Sequence, residues 1–170
     1  MLFNIKCPSC QKEELKVNFH RHKIKFFGEV MESILKCKCS YRHVDVMILS
    51  QKDSIKYTLN ISDDKDMLIR VVRSGNSTIE IPEIGVKITP GIGSEGYITN
   101  IEGIMRRIED ILLTLSNWGD KGKVNLLLDK IEKIKKGEKT AKIIIEDPTG
   151  NSVIISDKAI KEPYNEIKGS

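Results

Sequence analysis

From Leu15 onward apolar and polar residues alternate along most of the chain, and the period changes in one place. Val17 and Phe19 alternate with polar neighbours, and Ile24 and Phe26 follow a basic stretch. Residues two apart on a strand share a face, so this pattern predicts a strand over Leu15–Lys25. Phe27-Gly28-Glu29 marks a bend, and Val30 to Lys36 returns as a second strand. Val44, Val46 and Ile48 alternate in turn, before a polar stretch, Ser50 to Ser54, that reads as a domain boundary. Ile55, Tyr57, Leu59 and Ile61 resume the period of two, and Ser62 to Asp66 turns the chain. Leu68–Arg73, Thr78–Ile81, Ile84–Ile88, Lys142–Glu146 and Val153–Ser156 are short strands separated by turns, among them Asp147-Pro148-Thr149-Gly150-Asn151. Short strands at this spacing predict an antiparallel sandwich or barrel.

Over residues 99–136 the period becomes helical. Ile101, Ile104, Met105, Ile108, Leu112 and Leu115 form one apolar stripe; Val124, Leu127, Leu128, Ile131 and Ile134 form a second. Thr99 and Glu102 have capping-box spacing, Asn117-Trp118-Gly119 stops the first helix, and Gly137 ends the second. The prediction is an αα-hairpin inserted into a β domain over 51–158, preceded by a small unit over 1–50 and followed by a polar tail over 159–170.

Composition narrows the function. At 39% hydrophobic and 31% charged, the 170 residues can build a core and a solvated surface. The sequence shows no apolar run of membrane-spanning length and no signal segment, so the expectation is a cytoplasmic protein in a reducing compartment. The net charge of +4 resides entirely in residues 1–50, which hold nine Lys/Arg against five Asp/Glu. Such a basic segment can steer toward nucleic acid or an acidic protein, or simply be a solvated face. Residues 51–170 contain neither histidine nor cysteine, which removes the commonest general base, the thiol nucleophile and the usual soft-metal ligands. The expectation is therefore no enzyme. Gly91-Ile92-Gly93-Ser94-Glu95-Gly96 matches a dinucleotide fingerprint, but no helix starts inside it and no parallel βαβ unit follows.

All four cysteines lie in the basic segment as two tight pairs, Cys7-Pro8-Ser9-Cys10 and Cys37-Lys38-Cys39, with 26 residues between them. An antiparallel ribbon would bring the pairs together and present four thiolates to one soft metal, so Cys7, Cys10, Cys37 and Cys39 are the candidate ligands of one structural Zn2+. A redox pair, two disulfides or an iron centre fit the surroundings less well. His20, His22 and His43 lie within or beside the segment and remain candidates to replace a ligand.

Several further motifs carry a resemblance. Cys7-Pro8-Ser9-Cys10, Phe27-Gly28-Glu29-Val30 and Cys39-Ser40-Tyr41-Arg42 with Asp45-Val46 are similar to the finger of the ZPR-type zinc-finger proteins. Val72-Arg73-Ser74, Ile79-Glu80-Ile81-Pro82-Glu83, Ile88-Thr89-Pro90-Gly91, Ile98 to Gly103 and Asp147 to Ser152 resemble that family's second domain. The resemblance implies a zinc ribbon followed by a double-stranded β-helix, jelly-roll-like, with a helical-hairpin insertion. It also implies one copy of a module that eukaryotic members carry twice, as in archaeal members. It implies further a folding chaperone or adaptor for the GTPase translation elongation factor 1-alpha; the alternative is a nucleic-acid-binding ribbon of the transcription or translation machinery. Ser74, Pro82, Glu83, Pro90 and Gly91, at polar turns, are the candidate partner contacts. The chain departs from the family where Cys37-Lys38-Cys39-Ser40 stands for Cys-x-x-Cys-Gly, which removes a glycine suited to a left-handed turn.

Overall fold

Two compact units, residues 1–50 and 51–170, make up the computed structural model, which describes residues 6–116 and 120–164. The first unit is one antiparallel sheet of three strands in the order β1-β2-β3: β1 Lys16–Ile24, β2 Gly28–Lys36 and β3 Arg42–Ile48. Lys16 pairs with Lys36 and Lys36 with Arg42, so the register carries the ends of all three strands toward the cysteine turns.

The second unit is a jelly-roll of two sheets. A five-stranded sheet runs β11-β4-β9-β6-β7, from β4 Ile55–Ile61, β6 Thr78–Ile81, β7 Val86–Ile88, β9 Ala141–Asp147 and β11 Ile160–Pro163. A three-stranded sheet runs β10-β5-β8, from β5 Arg70–Arg73, β8 Tyr97–Asn100 and β10 Val153–Ile155. The period of two does the work foreseen for it. Leu59, Ile61, Ile79, Ile81, Ile143 and Ile145 are fully buried while their strand neighbours face outward. Burying each such side chain stabilises by about 1.5–3 kcal/mol.

The helical hairpin, α1 Ile101–Leu115 and α2 Lys121–Lys135, is inserted between β8 and β9. Ile101, Ile104, Met105, Ile108 and Leu112 of α1 and Val124, Ile131 and Ile134 of α2 join the core. Lys135 reaches Glu109 across the hairpin at 3.1 Å. Gly137, at φ +73°, ends α2 in the left-handed conformation.

Four readings of the sequence change. Asn100, not Thr99, caps α1: its side chain accepts from the Gly103 amide at 2.8 Å. Thr99 is held in β8 opposite Val71, so strand pairing delays the helix by one residue. The stretch before the helix, given no element from the sequence, is itself this strand. The predicted tail contains β11, which pairs with β4 along the sheet edge. Leu115, expected in the core, is exposed on the last turn of α1. Asn117-Trp118-Gly119 and residues 165–170 lie outside the described residues.

Two buried carboxylates fasten the β domain. Asp66 lies within a short 3-10 helix, Asp64–Leu68, capped by Asp63, and it accepts from the Ser62 and Asp63 amides and from Lys158 Nζ at 2.6 Å. Burial opposes the charge, yet the Lys158 and amide hydrogen bonds hold its pKa below the ordinary value. Asp147, at the end of β9, is the second and is taken up in the Discussion.

Candidate metal centre

Each cysteine pair is presented by a tight backbone turn. In the first, the Gln11 amide donates to the Cys7 carbonyl at 2.8 Å and the Cys7 amide to the Lys12 carbonyl at 2.9 Å. In the second, the Cys37 amide donates to the Tyr41 carbonyl at 2.9 Å and the Ser40 amide to the Cys37 carbonyl at 3.1 Å. Ser40 lies at φ +72°, so the position where the family pattern has glycine does require a left-handed backbone. This chain fills it with serine at some cost in local strain.

The four Sγ atoms lie within 4.8 Å of one another. Cys7 Sγ is 3.7 Å from Cys39 Sγ, and Cys10 Sγ is 3.7 Å from Cys37 Sγ. Four sulfurs at zinc–thiolate bond length around one centre stand roughly 3.8 Å apart at ideal tetrahedral angles. The cluster therefore has the size a tetrahedral thiolate site needs, with each turn giving two corners, and it fits one structural zinc ion. All four cysteines are free of disulfides, and Cys7 is fully buried. Histidine takes no part in the cluster among the described residues; His43 sits on β3 with its side chain exposed.

The thiols titrate as a set. Cys39 is brought down to about 7, first by its backbone hydrogen bond at Tyr41 and then by the other three thiols. For Cys37 the backbone hydrogen bond at Cys39 pulls downward, but desolvation and the neighbouring sulfurs push it up to about 12. Crowded sulfurs cannot all ionise together without a cation between them, and a metal ion supplies that charge.

The five candidate partner contacts fare differently. Ser74 is 1% exposed, so its side chain is not offered to a partner, and its amide donates to Ser152 Oγ at 3.0 Å. Pro82 and Glu83 are exposed; the Glu83 carboxylate accepts from the Lys142 amide at 2.9 Å and borders a depression of about 560 Å³. Pro90 and Gly91 are exposed too, and Pro90 borders a depression of about 300 Å³ with Asn76, Thr78 and Thr149. The sequence reading did not single out the apolar surface. On one face of the finger sheet, cross-strand register aligns Val17, Phe19, Met31, Leu35 and Met47, and Phe19 and Met47 are each 62% exposed. On the hairpin, Ile111, Leu113, Leu115 and Leu126 are exposed. The Gly91–Gly96 segment leads into β8, not into a helix.

Residues 65–168 match the family model of the ZPR1 jelly-roll domain. An uncharacterized ZPR1-like protein of Pyrococcus horikoshii is 40% identical over 161 residues, covering 89% of this chain and 72% of that protein. A second, from Methanocaldococcus jannaschii, is 39% identical over 166 residues, covering 94% and 84%. The zinc finger chaperone zpr1 of Schizosaccharomyces pombe is 28% identical over 140 residues, covering 77% of this chain and 30% of its own length.

Proposed function

Because the chain belongs to the ZPR1-type zinc-finger protein family, we propose that it is a cytoplasmic, non-enzymatic chaperone or adaptor that binds translation elongation factor 1-alpha and assists its folding. Cys7, Cys10, Cys37 and Cys39 hold its one structural zinc. The observation that carries this reading is the finger's apolar face. A three-stranded sheet that leaves Phe19 and Met47 in water gains nothing from them by itself. Side chains of this kind suit a surface that receives apolar parts of another protein. The exposed leucines of the hairpin extend the same logic to the second unit, where Pro82, Glu83, Pro90 and Gly91 remain candidate contacts. The fission yeast relative bears the name of a chaperone. Affinity capture from its own cell extract with the zinc-loaded protein is expected to enrich the elongation factor over an unrelated zinc ribbon. A Phe19→Ser, Met47→Ser double variant is expected to lose most of that enrichment. Equal enrichment by the control ribbon would refute the proposal.

One feature favours nucleic acid as a second reading. Lys16, Lys36 and Arg42 stand directly opposite one another across the three strands, exposed, on the face away from Phe19. Among the described residues the finger's ion pairs, Arg21 with Glu29 and Lys38 with Glu14, do not include them. Like charges opposed across a sheet are destabilising, so an anion arriving there relieves repulsion. This reading expects binding to single-stranded RNA that weakens with salt at a log–log slope of about −2 for three phosphate contacts. Fluorescence anisotropy at several salt concentrations measures it, and a slope near zero would dismiss it.

A further inference from the structure

Arg73, at the end of β5, is buried to 5% exposure, and among the described residues no carboxylate forms an ion pair with it. A guanidinium carries its charge at all relevant pH, and burying one without a counter-charge is costly. Its Nη2 donates to the Ser77 carbonyl at 2.9 Å, and its Nη1 makes a long 3.4 Å contact with Ser94 Oγ. Its Nε finds no acceptor among the described residues. Tyr97, opposite Arg73 on β8, turns its ring toward the guanidinium, whose carbon lies 5.5 Å from the ring centroid. Arg107 of α1, exposed, lies over the same ring at 4.1 Å. Two cations thus share one aromatic ring, and among the described residues neither forms a salt bridge.

The segment Gly91–Gly96 reaches Arg73 through Ser94. Its Ser94 carbonyl oxygen packs 2.2 Å from where a side-chain carbon on Gly75 would sit, so only glycine lets it lie that close. Gly91, Gly93 and Gly96 give the segment freedom to move, and the weak Ser94 hydrogen bond does little to hold it.

We propose that Arg73, Arg107 and Tyr97 form a receptor for a single oxyanion, carboxylate or phosphate. Arg107 meets the anion first at the surface. The Gly91–Gly96 segment then lifts, and the Arg73 fork supplies the Nε donor that is otherwise unsatisfied. Tyr97 lies against both guanidinium groups, and the planar fork selects a multi-oxygen group over a halide. The site goes beyond the chaperone reading and stands whichever protein the finger binds.

The test follows the arginine side-chain Nε–Hε resonances of the zinc-loaded full-length protein by NMR. The protein is titrated with inorganic phosphate and, separately, with an acetylated tetraglutamate peptide, at ionic strength held constant with chloride. Saturable shifts of the Arg73 and Arg107 resonances are expected. A response to phosphate alone assigns the site to phosphoryl groups, and a response to the peptide assigns it to acidic side chains. Arg107→Ala removes only an exposed side chain and is expected to weaken binding about tenfold or more, the loss typical of a charge-assisted hydrogen bond. Shifts no larger than chloride produces, or a midpoint unchanged in Arg107→Ala, would overturn the proposal.

Discussion

Stripping zinc from the protein is expected to unfold the finger while the β domain stays folded. Among the described residues, the finger buries only the apolar side chains of Cys7, Leu15, Phe27 and Val30, far too little apolar surface to hold three strands together. The sulfur cluster must therefore supply the missing free energy. In small fingers that contribution is about 10–16 kcal/mol at neutral pH, because binding and folding are one event. The β domain, by contrast, has a continuous apolar core of its own from Ile55 to Ile154. Addition of a strong chelator should collapse the NMR dispersion of residues 7–48 and leave that of 55–163 in place. Zinc should restore it with release of protons, since the thiols that crowd Cys37 upward must ionise to bind. Cys7→Ser should reproduce the chelated state even with zinc present. A metal-free finger with unchanged dispersion would show that the four sulfurs are not what folds it.

Asp147→Asn is expected to be the most damaging single polar change in the β domain. The carboxylate is fully buried. Oδ1 accepts from the Thr149 amide at 2.8 Å and the Thr149 hydroxyl at 2.7 Å. Oδ2 accepts from the Asn151 amide at 3.0 Å and the Ser152 amide at 2.7 Å. Asparagine would turn one of these oxygens into a donor facing donors. Losing a charge-assisted pair and leaving buried amides unmet costs about 3 kcal/mol. Desolvation pushes the Asp147 pKa up, but the Ser152 and Thr149 hydrogen bonds outweigh it and hold it below the ordinary 3.8. A carboxyl with a depressed folded pKa stabilises fully above its unfolded value and loses that contribution as pH falls through the folded one. The stability gap between the native chain and Asp147→Asn should thus be constant near neutral pH. It should narrow only as the pH drops below 3.8. Chemical denaturation of both proteins along a pH series measures this, and a gap that widens in acid would contradict the assignment.

What the sequence determined by itself was everything governed by local periodicity and by scarce residue types. Alternation at Ile55 to Ile61 defined a strand because a pleated sheet repeats every two residues, and a short isoleucine run between turns defined another at Lys142 to Glu146. The stripes from Ile101 and Val124 defined a hairpin because a helix repeats every 3.6. Four cysteines in two tight pairs announced a metal centre because few other arrangements use thiols so economically. The tertiary structure alone decided features that depend on a neighbour distant in sequence. Pairing with β5 drew Tyr97–Asn100 into a strand and moved the helix cap to Asn100. Pairing with β4 made a strand of the polar segment at Ile160–Pro163. Contact with Ser152 buried Ser74, in a turn that composition alone marks as exposed. The charge pair at Arg73 and Arg107 arises the same way, since residues 34 apart share one tyrosine ring only after a strand and a helix have packed. Periodicity records which face of an element is apolar; which element that face meets is fixed by long-range packing, and no local pattern encodes it.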